Sequence, residues 1–263
     1  MARDRGEEYD RRAWSVPHVL SAAIDRLLRN PSLFAPFAVA GLVLATIDAL
    51  RLRDPIPALE YAGLDKATLS LEYVGYPTGV NRMSVSLESF IGLELPYLVW
   101  GLGLHVLSLL VVALAGALTL TRLLDGEAQF GPLPSYLGFV VTVDFAHRLL
   151  DSIVPQGTGL FGLVPLALLL AAMVLLFPTP GLIAAGASPW TAIRDGGVWV
   201  RGDGWSVFAL VVIFGTSAWL LASVPVAGAF LTSALVAPVH AVAIASLFEH
   251  RRHEDRFATS INR

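Results

Sequence analysis

The chain has 263 residues, of which 55% are hydrophobic and only 15% are charged, and its mean hydropathy is +0.66. A soluble domain carries about 25% charged residues, so this composition excludes one and indicates an integral membrane protein. The net charge of -3 gives no basic face for nucleic acid, and the absence of cysteine excludes disulfides and thiolate metal sites. All but one of the 18 basic residues are arginine, a usage typical of a GC-rich prokaryotic genome.

Residues 1–30 are predicted to be a cytoplasmic tail followed by a surface helix. The tail mixes both signs of charge and leads into no short apolar stretch with a cleavage site, so we predict no signal peptide. From Ser15, a suitable N-cap, apolar residues recur at helical spacing on one face: Val16, Leu20, Ile24 and Leu27. Charged residues take another face: Asp25, Arg26 and Arg29. The pattern predicts an amphipathic helix lying on the membrane.

Six apolar stretches follow, each long enough to cross a hydrocarbon core about 30 Å thick. They cover residues 31–50, 91–121, 133–151, 159–179, 205–223 and 226–248, so we predict an all-α membrane domain of six helices over 31–248 and a tail over 249–263. The third stretch is the least apolar because its second half contains Asp144, His147 and Arg148. A charge at mid-bilayer costs roughly 2.5–3.5 kcal/mol, so we expect these residues near one interface.

The distribution of arginine predicts the orientation in the cell membrane. With six crossings and both termini in the cytoplasm, five basic residues fall outside: Arg51, Arg53, Lys66, Arg82 and Arg148. The other 13 of the 18 fall inside, and this bias favours an even number of crossings with cytoplasmic N- and C-termini.

The long outer loop, residues 51–90, shows a strand-like alternation. Apolar Leu69, Leu71 and Tyr73 alternate with polar residues before a turn, and Val85 and Leu87 alternate after it. The turn residues between them are Gly75, Pro77 and Gly79. This pattern predicts a β-hairpin over the outer mouth of the bundle, packed on the helices or on a partner because an isolated hairpin is marginal in water.

Ionisable residues in the membrane domain are candidates for a ligand or ion site. They are Asp48, Glu94, His105, Asp144, His147, Arg148 and His240. We expect all of them except the deeper His105 and His240 to gather at the outer helix ends, with Asp144 and Arg148 paired at a spacing of four. The two deeper histidines are expected to be neutral and bonded to backbone or to each other. Interfacial anchoring and helix pairing are the structural alternative to a ligand site.

Soluble catalytic and cofactor chemistries have no complete motif in this chain. The segment GTGLFG at residues 157–162 has dinucleotide spacing but opens an apolar run without a preceding strand. The segment FEHRRHED at residues 248–255 has spacings that can hold a metal, but two arginines interrupt it as in a solvated tail. The chain is therefore predicted to bind no nucleotide, cofactor or metal, and to be no enzyme.

The stretch SPWTAIRDGGVWVRGDGW, residues 188–205, separates two apolar runs and predicts a second interfacial helix, capped by Ser188. One side of this amphipathic helix holds Trp190, Ile193, Gly197 and Val200, away from Arg194 and Asp195. Tryptophan suits the interfacial belt and arginine holds a loop inside, so we predict a docking surface for lipid or a partner. That surface comprises Trp190, Arg194, Trp199, Arg201 and Trp205.

The same stretch resembles a broad prokaryotic membrane-protein superfamily that includes YciC-like proteins and the membrane domain of some glycerophosphodiester phosphodiesterases. The matching positions are Pro178, Ser188, Pro189, Ala192, Ile193, Gly197, Val200 and Trp205. The segment AAIDRLLRNPSLFAPFAV also resembles the entry of that superfamily's surface helix into its first span. The chain departs from the pattern in the outer hairpin and in its paired glycines, and it contains no phosphodiesterase domain. The resemblance implies a six-helix, non-enzymatic membrane protein.

Three functions are compatible with these patterns. The first is a non-catalytic accessory or envelope factor that contacts membrane lipid or a partner membrane protein. The second is a small transporter or channel that uses the outer polar cluster, and the third is an intramembrane enzyme.

Overall fold

The computed structural model describes residues 15–56, 59–60, 73–81, 83–84, 87–153 and 163–261. The helices in this part of the chain are α1 (Val16–Arg29), α2 (Ala35–Arg51), α3 (Leu95–Asp125), α4 (Leu133–Ile153), α5 (Leu163–Leu176), α6 (Thr179–Ala184), α7 (Pro189–Trp199), α8 (Gly204–Ala222), α9 (Gly228–Leu231) and α10 (Ala237–Ile261). Short 3-10 turns lie at Pro31–Leu33 and Leu87–Phe90, and a π-helical turn at Thr232–Val236 joins α9 to α10. Strands β1 (Leu59–Glu60) and β2 (Met83–Ser84) pair antiparallel.

Five helical stretches among the described residues are long and apolar enough to cross a membrane. They are Pro31–Arg51, Leu95–Asp125, Leu166–Ala184, Gly204–Ala222 and Gly228–Arg251, and they match five of the six predicted spans. The chain is thus an all-helical, membrane-embedded protein. Helix α4 covers the remaining predicted span and has 21 residues, but its charged residues lower its hydropathy and keep it out of this group.

Several element bounds differ from the predicted ones. Helix α3 has 31 residues and is therefore about 46 Å long, so it exceeds a hydrocarbon core of about 30 Å. The fourth predicted span begins within residues 154–162, which lie outside the described residues, and its helix breaks at Pro178 before α6. Helix α10 continues to Ile261, so the segment predicted as a tail from residue 249 prolongs the last helix.

Helix α1 forms where predicted, but its packing face is different. The buried side chains are Val19, Ala23 and Leu27, whereas Ile24 is 50% exposed. The Arg26 guanidinium donates to the Glu249 carboxylate of α10 at 2.8 Å and to the Leu123 carbonyl of α3 at 3.3 Å. The apolar face turns toward Val19 because α1 packs on α10 and α8.

Helix α3 lies at the centre of the bundle and packs on α2, α4, α6 and α10. Two ends of the bundle can be defined from it. The loop end is where α2 stops at Arg51 and α3 starts at Leu95. The hinge end is where α3 stops at Asp125 and where α7 follows α6.

The predicted hairpin is not confirmed. Residues 69–72 and 85–86, which carry most of the alternation, lie outside the described residues. The described pairing joins β1 to β2, and the predicted turn at Gly75 and Pro77 is buried instead of lying over the bundle.

We predict that Gly41→Ala destabilises the bundle by about 1–3 kcal/mol because the site is overpacked by any added atom. A Cβ on Gly41 would lie 2.9 Å from the Ser233 Cβ and 3.0 Å from the Phe230 carbonyl oxygen, which is backbone and cannot swing aside. The free energy of unfolding in detergent micelles, titrated with dodecyl sulfate, measures the effect. Gly103→Ala in α3 is the matched control: no atom lies within 4 Å of its added Cβ, and an unchanged Gly41→Ala protein would contradict the close packing.

Candidate functional site

A non-helical piece of the loop between α2 and α3 enters the helix bundle. We call residues 73–81 the inserted segment; its Tyr73, Gly75, Tyr76 and Pro77 are buried. Gly75 has φ +79°, and a Cβ there would contact Met173 and Leu176, near the middle of the candidate span Leu166–Ala184. Irregular backbone at this depth is tolerated only where protein surrounds it. The segment therefore depends on the helices for its polar partners.

His240 of α10 contacts Tyr73, the first residue of the inserted segment. The Tyr73 hydroxyl and the His240 Nε2 are 2.9 Å apart, and His240 is 3% exposed. The imidazole lies among three aromatic rings, with centroid distances of 5.1 Å to Tyr73, 5.4 Å to Phe177 and 5.0 Å to Phe214. Burial raises the pKa of the Tyr73 phenol, which stays protonated at neutral pH and keeps its hydrogen for this bond.

The π-helical turn before α10 holds the other end of the inserted segment. The Val80 backbone N–H donates to the Thr232 Oγ1 at 3.0 Å, and the Thr232 hydroxyl donates to the Gly228 carbonyl at 2.9 Å. Gly79 lies directly against Ser233, so a side chain at this position would collide with the π-helical turn. A π turn widens a helix locally and is frequent at functional sites. Here its widening coincides with the passage of the non-helical chain.

Two buried charged residues at the loop end of α2 bind the backbone of β2. The Asp48 Oδ1 accepts from the Met83 N–H at 3.2 Å, and the Arg51 Nη1 donates to the Met83 carbonyl at 2.9 Å. Both polar groups of one residue are thus satisfied by side chains three apart on a helix. Arg51 was counted in the sequence only as an outer basic residue, and nothing in its local sequence points to Met83.

A second polar cluster joins α3 to α4. The Asp144 Oδ2 accepts from the Arg148 Nε at 2.8 Å and lies 3.1 Å from the His105 Nε2. The Arg148 Nη2 is 3.4 Å from the His105 Nδ1. One neutral tautomer of His105 satisfies both contacts: Nε2–H donates to Asp144, and Nδ1 accepts from Arg148. The three side chains are 19–21% exposed, so the cluster is set into the surface of the bundle.

The predicted outer cluster is confirmed in part. The Asp144 and Arg148 pair forms as expected, and both residues act electrostatically on Arg51, which brings Asp48 into the same region. His147 is half-buried on α4, while Glu94 is exposed at the N-terminus of α3.

The predicted partners of the two deep histidines are wrong. His105 bonds to side chains of α4, and His240 bonds to Tyr73, which is 167 residues away in sequence. Both partners come from other parts of the chain, so neither histidine needs the backbone or the other histidine.

The stretch over residues 188–205 forms helix α7 and the turn into α8. Ser188 caps α7 as predicted, since its Oγ accepts from the Thr191 N–H at 3.3 Å. On this stretch Ala192, Gly196 and Val200 are buried, whereas Trp190 is 77% exposed. A Cβ on Gly196 would lie 2.5 Å from the Leu175 carbonyl oxygen, so this glycine sets the face that meets α5.

The tryptophans of the stretch have different roles. Trp199 stacks on Phe248 of α10 with a centroid distance of 4.3 Å, whereas Trp205 is 84% exposed. Arg201 is exposed, as is Arg194, which is 3.5 Å from the neighbouring Asp195. The exposed tryptophans and arginines form the part of the predicted docking surface that is open to contact.

Arg251 of α10 fixes the turn between α7 and α8. Its Nε donates to the Trp199 carbonyl at 3.2 Å, and its Nη2 bonds to the Asp203 carboxylate at 2.9 Å and to the Arg201 carbonyl. The sequence placed Arg251 in a solvated tail, and its role is visible only once α10 lies beside the turn. Gly202, with φ +95°, makes the sharp reversal that presents these groups to one guanidinium.

These features define a polytopic helical membrane protein with a non-helical segment in its core. The chain matches no protein-family model, no curated protein and no solved structure.

We predict that Arg251→Gln lowers the free energy of unfolding by about 1–3 kcal/mol because it removes charge-assisted hydrogen bonds from a largely buried site. Unfolding in detergent, followed by tryptophan fluorescence, reports the loss, and Trp199 is a direct probe. Arg194→Gln is the matched control, since an exposed ion pair of this kind contributes little. Equal stability of the two variants would show that Arg251 does not hold the turn.

Proposed function

We propose that this protein is a non-catalytic membrane protein with six spans that serves as an accessory or envelope factor in contact with lipid or a partner protein. The observation that carries this proposal is that ionisable side chains in the bundle are bonded to other side chains of the same chain. His240 is occupied by Tyr73, and Asp144 is occupied by Arg148 and His105. A catalytic group must reach a substrate, whereas these ionisable groups are engaged with other groups of the same chain.

The sixth span is α4. Its 21 residues correspond to about 31 Å of helix, which is enough to cross the hydrocarbon core. Its charged residues are tolerable there because Arg148 and His105 compensate Asp144 in place. Tyr136 and Phe139 face the bundle, and the opposite side exposes apolar residues suited to lipid: Val141, Phe145 and Leu149.

Six spans put both termini on the same side of the membrane, and the arginine bias favours the cytoplasmic side. We predict that reporter fusions will show both termini in the cytoplasm. A fluorescent protein fused after Arg263 should be bright, because it folds in the cytoplasm. Alkaline phosphatase inserted after Gly92, an exposed turn residue with no atom near its Cβ position, should be active outside. A dark C-terminal fusion together with active phosphatase would mean that α4 does not cross.

In this orientation the hinge end faces the cytoplasm. We keep the resemblance of this stretch to the YciC-like superfamily as part of the proposal. Exposed Trp190 and Trp205 lie at the ends of the α7 stretch, with exposed Arg194 and Arg201 between them. Tryptophan and arginine together favour the interface between lipid headgroups and acyl chains. We assign this surface to contact with membrane lipid or with a partner membrane protein.

A small transporter or channel is the second candidate, favoured by the inserted segment. Non-helical backbone between spans is a feature of transporters, where it lines a substrate path. In the present conformation the path is closed, since three rings surround His240.

Native mass spectrometry of protein extracted gently from its own membrane tests the accessory function. We expect a bound lipid or a co-purifying subunit, and we expect the variant with both Arg194→Ala and Arg201→Ala to lose it while keeping its abundance. Turnover of a lipid or peptide by purified protein, lost on Asp144→Asn, would overturn the non-catalytic assignment.

A further inference from the structure

The inserted segment is attached to the helices through few polar contacts. Among the described residues, two hydrogen bonds join it to the bundle: the bond between Tyr73 and His240 and the bond from Val80 to Thr232. The remaining contacts are packing, such as the edge-to-face contact of Tyr76 with Phe139 at 6.3 Å. A helix satisfies its backbone groups through its own hydrogen bonds. This non-helical segment depends instead on a few hydrogen bonds to the bundle, and it can move as a unit once they break.

The bundle below His240 is sealed by apolar packing. Residues 241–245 of α10, which follow His240 toward the hinge end, are buried and apolar: Ala241, Val242, Ala243, Ile244 and Ala245. Displacement of the inserted segment would therefore expose a cavity that opens at the loop end and stops at His240. Four residues that the segment now touches would form its walls: Phe139, Thr232, Ser233 and His240. The rings of Phe177 and Phe214, which pack against the His240 imidazole, would line its closed end.

Water and the Tyr73 phenol compete for the same imidazole. In dry packing an unpaired His240 nitrogen would cost free energy, so the segment can leave only if water enters behind it. The presence of Tyr73 thus decides whether the middle of the bundle is dry or hydrated.

We infer that residues 73–81 are a displaceable stopper and that their withdrawal opens a blind, water-filled vestibule from the loop end down to His240. The bond between Tyr73 and His240 is the latch. This device goes beyond an accessory role because it gives the protein two states, closed and open, of which the structure shows the closed one.

Cysteine accessibility tests the device, and the cysteine-free chain makes every introduced thiol unique. Ala237 is fully buried and lies between Ser233 and His240 at spacings of four and three, on the wall of the vestibule. Ala245, equally buried, lies in the sealed half of the same helix. Each alanine is replaced by cysteine in the full chain, and a small, charged methanethiosulfonate reagent is added from the loop end in oriented membrane vesicles.

Tyr73→Phe should raise the rate of labelling at Ala237→Cys by about tenfold, because it removes the latch and leaves the imidazole without its partner. Labelling at Ala245→Cys should stay at its low starting rate. The double variant Tyr73→Phe with His240→Phe should label as slowly as the parent, since two apolar rings of similar shape restore a dry contact.

Three outcomes would overturn the inference: no acceleration at Ala237→Cys, equal acceleration at both cysteines, or labelling only from the hinge end. If Tyr73→Phe fails to accumulate, Thr232→Val replaces it. That variant removes the acceptor of the Val80 N–H and carries the same expectation, so a rate equal to that of the parent counts against the device. The readout is independent of any bound lipid or partner, and its failure would leave the accessory function standing.

Discussion

A polar group in the dry interior of a bilayer protein must find its partner within the protein, and this constraint governs the arrangement around α10. His240 lies among apolar helices, and the partner it finds is a phenol on a loop. To deliver that phenol, the loop has to run between the helices, where its own backbone needs acceptors as well. The π-helical turn supplies one acceptor, the Thr232 hydroxyl, to the Val80 N–H. The need of the His240 imidazole for a hydrogen-bond partner thus determines the position of the whole segment.

The same constraint explains why charge clusters at two other places. Asp144 is acceptable on α4 because Arg148 and His105 surround its carboxylate, and a span that is too polar by hydropathy becomes compatible with lipid once α3 lies beside it. At the hinge end, the Trp199 carbonyl at the C-terminus of α7 accepts a hydrogen bond from Arg251. In the first case Arg148 of the same helix pairs with the carboxylate and His105 of α3 adds a contact; in the second, α10 supplies the guanidinium. Both arrangements link stability at these sites to correct packing.

Much of the architecture follows from local patterns, and the site does not. Five spans, the Ser188 cap and the Asp144 to Arg148 pair were predictable because each depends on residues within one helix or one turn. The contacts of His240 and Arg251 join residues that are far apart in sequence, so no spacing rule points to them. Alternation around residue 73 predicted a hairpin over the bundle, but a period of two indicates only a chain with two different sides. It does not report what covers those sides. Likewise, the face of α7 that packs on the bundle is set by the close approach of Gly196 to α5. A helical wheel of α7 alone gives no information about a contact with another helix.

The insertion of residues 73–81 also constrains the order of biosynthesis. These residues leave the ribosome soon after α2, but residues that receive them lie in α5, which is made later, and in α10, which is the last helix among the described residues. The segment must therefore wait at the membrane surface while most of the chain is synthesised, with two tyrosines and its backbone hydrated. Folding is completed only when the last helix has been inserted and the loop, made much earlier, docks against it. A chain that stalls before residue 240 would display this loop, which makes it a natural mark of an unfinished molecule.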